Sequence, residues 1–270
     1  MDDSIDLKLI FKKIKTNIKL LFLTNIALIT MALIYTILLP NEFTSSAKVE
    51  LRQDPNNNEG ARQVSGLNSL FGGISLGNSS RNIYSLMEFI KSRDFYNDHF
   101  YINENFIENL KIANGLDKQD EITFLESYDL FNTNLTMSFD ENTQLLDIFY
   151  TSYSADFSQF AVQQIIIRTN EEQKKQKKYE NEQSIAFISD QIAVSTNQNL
   201  IEAFSQLLQD ELKKNILVNI FDDYPLKTVD SPYVPEKKSS TSKAVLMIFF
   251  ALLSFLLSVI IILLRNSKEV

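Results

Sequence analysis

Two uncharged apolar blocks stand near the two ends of this chain, and they limit what everything between them can do. The block at 244–264, "AVLMIFFALLSFLLSVIIILL", runs 21 residues without a charge. At about 1.5 Å per residue it is about 30 Å long as a helix, the thickness of a bilayer's hydrocarbon core. A buried helix of a soluble protein would carry a polar stripe, and here only Ser254 and Ser258 interrupt the apolar run. The block at 20–39, "LLFLTNIALITMALIYTILL", lies between Lys19 and Pro40. A signal peptide is the competing reading for it. However, twenty apolar residues are long for a signal core, and no small-x-small cleavage site follows in "ILLPNEF". Both blocks therefore read as membrane spans. They divide the chain into 1–19, a first span at 20–39, a middle region at 40–243, a second span at 244–264 and 265–270.

Charge sets the expected orientation. Lys8, Lys12, Lys13, Lys15 and Lys19 face Asp2, Asp3 and Asp6 before the first span, which places that end in the cytoplasm. Lysines flank the second span on both sides, so the first span decides. Both termini are expected in the cytoplasm and the middle region outside it. That region carries 19 basic and 30 acidic residues, a net charge of −11, which argues against nucleic acid or another polyanion as its partner. The chain has no cysteine, so an outside domain must be held by its core rather than by disulfides.

The middle region reads as α+β. "TSSAKVELR" (44–52) and "PLKTVD" (225–230) read as strands, and "NLTMSFDENTQLLDIFYTSY" (134–153) as a hairpin turning at "DENTQ". Short helices are expected between them. One begins at Ser79 or Ser80 with Ile83, Leu86, Phe89 and Ile90 on one face. Another, in "KQDEITFLESYDLF" (118–131), carries Ile122, Leu125, Tyr128 and Phe131 at helical spacing. From about 155 to 217 there is no Gly or Pro, and the pattern is helical almost throughout. Its middle, "RTNEEQKKQKKYENEQS" (168–184), has no aliphatic residue and must be solvated. One continuous helix there would be about 95 Å long. A turn near 195–199, "STNQN", would send a shorter helix back through Phe204, Leu208 and Leu212.

Chemistry-bearing patterns are scarce. His99 is the only histidine and reads as a surface helix residue; no metal site, cofactor site or nucleophile is indicated, so no enzyme is expected. "GLNSLFGGISLGNSS" (66–80) holds four of the six glycines but lacks the Gly-Lys-Ser/Thr ending of a phosphate loop. Leu70, Phe71, Gly72, Gly73 and Ile74 combine apolar side chains with free backbone angles, and are candidates for contact with a partner or polymer; a slack linker is the plain alternative. Pro232 and Pro235 exclude helix before the second span and read as a rigid joint near the membrane. Ile185, Ile188 and Ile192 mark an apolar face of the long helix that should pack on a neighbouring copy or on the returning helix.

In this order the segments "IDLKLIFKKIK" (5–15), "LLPNEFTSSAKVEL" (38–51), "LFGGISLG" (70–77), "NIYSLMEFIKSRDF" (82–95) and "LKTVDSPYVPEKKSS" (226–240) resemble the chain-length determinant family, the bacterial polysaccharide co-polymerases. No single motif is specific; the ordered set covers the whole chain. The resemblance implies two transmembrane helices flanking a periplasmic α/β base domain with a long protruding helix. It implies an inner-membrane, ring-like homo-oligomer without catalytic residues, which sets the modal length of a surface polysaccharide together with a separate polymerase and lipid-linked polysaccharide. Some relatives carry or pair with a cytoplasmic tyrosine kinase that has a Walker A loop. This sequence has no such loop and no tyrosine-rich tail before Val270, which favours the kinase-free, O-antigen-type branch. The alternative function is a periplasmic adaptor for capsule export through an ABC exporter. A two-span sensor would be expected to carry a signalling domain after the second span.

Overall fold

The computed structural model describes residues 16–52, 79–240 and 242–265. It divides into two units: Met1–Asn41 with Ser239–Val270, and Glu42–Lys238. The first unit holds α1 (Ile18–Leu38) and α8 (Lys243–Arg265), both long and apolar enough to cross a membrane. Their side chains are mostly exposed within the unit. A core helix of a soluble protein would bury them.

The second unit is an antiparallel four-stranded sheet with helices packed on one face. The strands are β1 (Phe43–Leu51), β2 (Leu135–Asp140), β3 (Leu145–Ser152) and β4 (Leu226–Asp230), in the order β2-β3-β1-β4. Ala47 lies opposite Ile148, and Val49 opposite Leu146; Met137 in turn lies opposite Ile148. All are buried, because alternate residues of each strand point to the same face. The other face is polar, as in the ion pair of Lys48 with Asp147 at 3.2 Å.

The covering helices are α2 (Ser79–Ile90), α3 (Arg93–Tyr96), α4 (Glu104–Ile112) and α5 (Phe124–Asn134). A π-helical turn, Asn97–Tyr101, continues α3. Ser92 and Asn103 cap the starts of α3 and α4, each accepting from a backbone N–H at 3.2 Å. Between α5 and the sheet Phe95, Tyr96, Phe100, Phe106, Phe131 and Tyr150 form one aromatic core, with Phe100 4.7 Å from Phe106 and 4.9 Å from Phe131 between ring centroids.

The helix expected from Ser79 or Ser80 is α2, with Ile83, Leu86 and Ile90 buried and Phe89 packed on the core; it stops at Ile90, and Ser92 caps α3. One sequence expectation is corrected. The helix expected from Lys118 starts only at Phe124, because Thr123 and Glu126 form a capping box. Its buried face is consequently Phe124, Ser127, Tyr128 and Phe131, while Leu125 is 53% exposed and Ile122 lies outside the helix.

The long helix α6 (Ala155–Val194) packs its first half against the sheet through Phe157, Ala161, Val162, Ile165 and Ile166. The chain breaks at Ser195, Thr196 and Asn197 and returns as α7 (Gln198–Ile220), packed along α6. Lys174 Nζ donates to the Phe221 carbonyl at 3.0 Å, so the return leg ends halfway down α6. Lys174 to Val194 is 21 residues against the 23 of α7, so the two legs match in length. Only the sheet-packed half of α6 has no helical counterpart.

Candidate functional site

The strand β1 ends where the return leg finishes, and a cleft of about 450 Å³ opens between them. Glu50, Leu51 and Arg52 form one wall; Leu217, Phe221, Tyr224 and Lys227 form the other. Alternation along β1 buries Val49 and leaves Glu50 on the polar face, where its Oε2 meets Lys227 Nζ at 3.0 Å across the β1–β4 pair. Arg52, one residue beyond the strand, gathers the turn after α7. Its Nη2 donates to Asp223 Oδ1 at 2.7 Å, its Nε donates to the Asp223 carbonyl at 3.2 Å, and its guanidinium carbon lies 4.0 Å from the Phe221 ring centroid. Its backbone N–H donates to the Pro225 carbonyl at 2.8 Å.

On the far side of the same turn, Lys174 holds the Phe221 carbonyl and lies 3.6 Å from Asp222. The Asn170 side chain, 8% exposed, copies a strand's pairing: Nδ2 donates to the Leu226 carbonyl at 2.9 Å, and Oδ1 accepts from the Leu226 N–H at 2.8 Å. The cleft is thus lined by two aromatic side chains, Phe221 and Tyr224, two leucines and paired charges, with the Phe221 face already covered by the Arg52 guanidinium. It offers no nucleophile with an adjacent base.

The connector after β4 is fastened rather than slack. Gln159 Nε2 donates to the Pro232 carbonyl at 3.2 Å, and the buried Ser45 hydroxyl donates to the Tyr233 carbonyl at 2.7 Å. Pro235 is buried and Pro232 half-buried. The two prolines therefore lie on a strip of extended chain fixed to α6 and β1.

Among the sequence candidates, Ile188 is 8% exposed in the part of α6 that α7 covers, with Ile185 and Ile192 half-buried beside it. The neighbouring Phe187 is 63% exposed. Leu70, Phe71, Gly72, Gly73 and Ile74 lie outside the described residues. His99 is not a surface residue as expected. Its side chain is 15% exposed within the π-helical turn, with Nε2 3.8 Å from Glu172 Oε2, and burial holds its pKa below the ordinary histidine value. Among the described residues no three His, Cys, Asp or Glu stand close enough to share a metal ion. Arg52 and Phe221 were not singled out from sequence. The pattern that points to them is a lone arginine ending a strand and an aromatic-acidic turn, "FDDYP", ending a helix.

The family model described as chain length determinant protein matches residues 3–100, which takes in α1, β1, α2 and α3. Over that segment the chain is similar to the chain length determinant family. No curated protein matches the chain. Among solved structures, a full-length bacterial polysaccharide co-polymerase is similar at 17% identity, covering 99% of this chain and 98% of that one, with a TM-score of 0.44. A fragment of WzzB, a polysaccharide co-polymerase from Salmonella Typhimurium, is similar at 16% identity over 74% of this chain and all of that one, with a TM-score of 0.28. The wild-type lipopolysaccharide O-antigen chain-length regulator of Shigella flexneri is similar at 14% identity over 73% of this chain and all of that one, with a TM-score of 0.24. The cleft belongs only in part to the family-matched segment, since Phe221, Tyr224 and Lys227 fall beyond residue 100.

Proposed function

We propose that this chain is a non-enzymatic inner-membrane co-polymerase that regulates the length of a surface polysaccharide of O-antigen type made by a separate polymerase. The observation that carries the reading is the family match over residues 3–100 on a chain whose candidate membrane helices bracket an α+β unit. In this reading both termini are cytoplasmic, residues 40–243 are periplasmic, and lipid-linked polysaccharide and the polymerase are the partners. The exposed apolar row of the α6–α7 hairpin supports self-assembly into a ring. Phe187 and Val194 on α6, with Leu212, Ile216 and Ile220 on α7, leave more apolar surface uncovered than a solvated helix pair needs.

The segment Leu70–Ile74, with its paired glycines, is the proposed contact with polymer or polymerase, and the Pro232–Pro235 connector the rigid joint leading to the second span. Deleting the gene and resolving the surface polysaccharide on a gel tests the function. Loss of a length cluster, with polymer still made, is expected; an unchanged length profile would refute the reading. In the same assay, Gly72→Ala with Gly73→Ala is expected to shift the length distribution at normal protein level, and an unchanged ladder would leave that segment a linker.

A further inference from the structure

The helices α1 and α8 are joined by more than apolar contact. Asn25 donates through Nδ2 to Ser258 Oγ at 2.9 Å, and Ser254 Oγ donates to Asn25 Oδ1 at 2.9 Å. Thr24 Oγ1 donates to the same Ser258 oxygen at 3.0 Å. Ser254 and Ser258 are 4% and 0% exposed. Thr36 stands eleven residues after Asn25, and Met247 eleven before Ser258; Thr36 Oγ1 lies 3.5 Å from Met247 Sδ. Eleven residues make about three turns, so both contacts lie on one face of each helix. Tyr35 and Phe250 meet edge to face at 6.0 Å, and Lys243 Nζ donates to the Leu39 carbonyl at 3.2 Å. A single antiparallel register satisfies all of these contacts.

In a bilayer, apolar side chains gain little by turning from lipid to a second helix, because lipid tails are as apolar as leucine. An unpaired amide in hydrocarbon is costly. The Thr24, Ser254 and Ser258 hydroxyls also reach the Leu20, Ala251 and Ser254 carbonyls of their own helices at 3.0, 2.9 and 2.7 Å, so the Asn25 amide is the group that decides pairing and register and the hydroxyls are its partners. Thr30 marks the contrast. It is exposed, and its hydroxyl bonds only the Ile26 carbonyl of its own helix at 2.8 Å. We propose that Thr24, Asn25, Ser254 and Ser258 form a register lock that pairs each chain's first membrane helix with its own second one, so that the two spans turn as one body. The proposal rests on the membrane reading of α1 and α8.

The absence of cysteine from the chain makes cross-linking a clean test. The full chain carrying Thr36→Cys and Met247→Cys is oxidised in native membranes and run without reductant. The expected product is an internal cross-link, seen as a reductant-sensitive mobility change at monomer size. Adding Asn25→Leu, which keeps asparagine's branching at Cγ and favours insertion, removes two inter-helix hydrogen bonds. The cross-linking rate is then expected to fall about threefold to tenfold. Adding Thr30→Leu instead should leave the rate unchanged. Cross-links between two chains, or an equal rate with and without Asn25→Leu, would overturn the lock. Release of the wild-type chain by alkaline carbonate would overturn the membrane reading beneath it.

Discussion

Gly115 shows how one residue sets the end of an element. The Gly115 N–H donates to the Ile112 carbonyl and the Leu116 N–H to the Lys111 carbonyl, each at 3.0 Å, the paired bonds that close a helix through a left-handed residue. Its φ is 77°, and an added Cβ would sit 3.5 Å from the Tyr153 ring, an ordinary contact. Backbone conformation rather than crowding therefore decides the outcome. Gly115→Ala should destabilise the domain by about 1 kcal/mol, read by chemical denaturation. His99 gives a second handle. Burial in the π-helical turn lowers its folded pKa below the unfolded value, so the unfolded chain binds the proton first as pH falls. Stability should be fully present above the unfolded histidine pKa of about 6.5 and decline as pH falls toward the folded value. In His99→Gln the slope contributed by this group should vanish; an identical pH profile in the variant would refute the assignment.

At the scale of elements, the α6–α7 hairpin separates two apolar rows that the sequence presents as one helical face. Ile188 is buried under α7, and its neighbour Phe187 points outward. Ile188→Asp places an unpaired carboxylate in the seam and should lower the melting temperature of the detergent-extracted protein. Phe187→Asp should leave the melting temperature near wild type but shrink the oligomer measured by native mass. Equal effects from the two changes would show that one interface serves both residues. The same hairpin shows what was legible. Period-two alternation gave β1 and the β2–β3 hairpin, the lack of Gly and Pro gave a long helix, and "STNQN" gave its turn near 195–199, which the structure places at 195–197. What stayed hidden depends on side chains choosing partners far away in sequence. Thr123 caps a helix that starts six residues later than composition suggests, because Glu126 reaches back to it. Arg52 finds Asp223 and Phe221 across the sheet edge, and Asn170 takes the place of a strand beside Leu226. Periodicity reads the face of an element but not its tertiary neighbour.

At the scale of the whole chain, two candidate membrane helices and the unit between them impose one requirement. If both helices span, the unit Glu42–Lys238 must lie on a single side of the membrane, because one crossing delivers the chain to that side and the second removes it. By the positive-inside rule, the lysines at 8, 12, 13, 15 and 19 would hold the preceding segment in the cytoplasm and put the unit on the other side, the proposed arrangement. A reporter enzyme active only outside the cytoplasm tests the arrangement. Fused after Asp140, in the turn between β2 and β3, it sits on an exposed residue and leaves the first crossing intact. It should be active there and silent when fused after Val270. Activity at both positions would mean that the second helix does not cross. Silence after Asp140 at normal protein level would mean that the first helix does not cross or that the orientation is reversed.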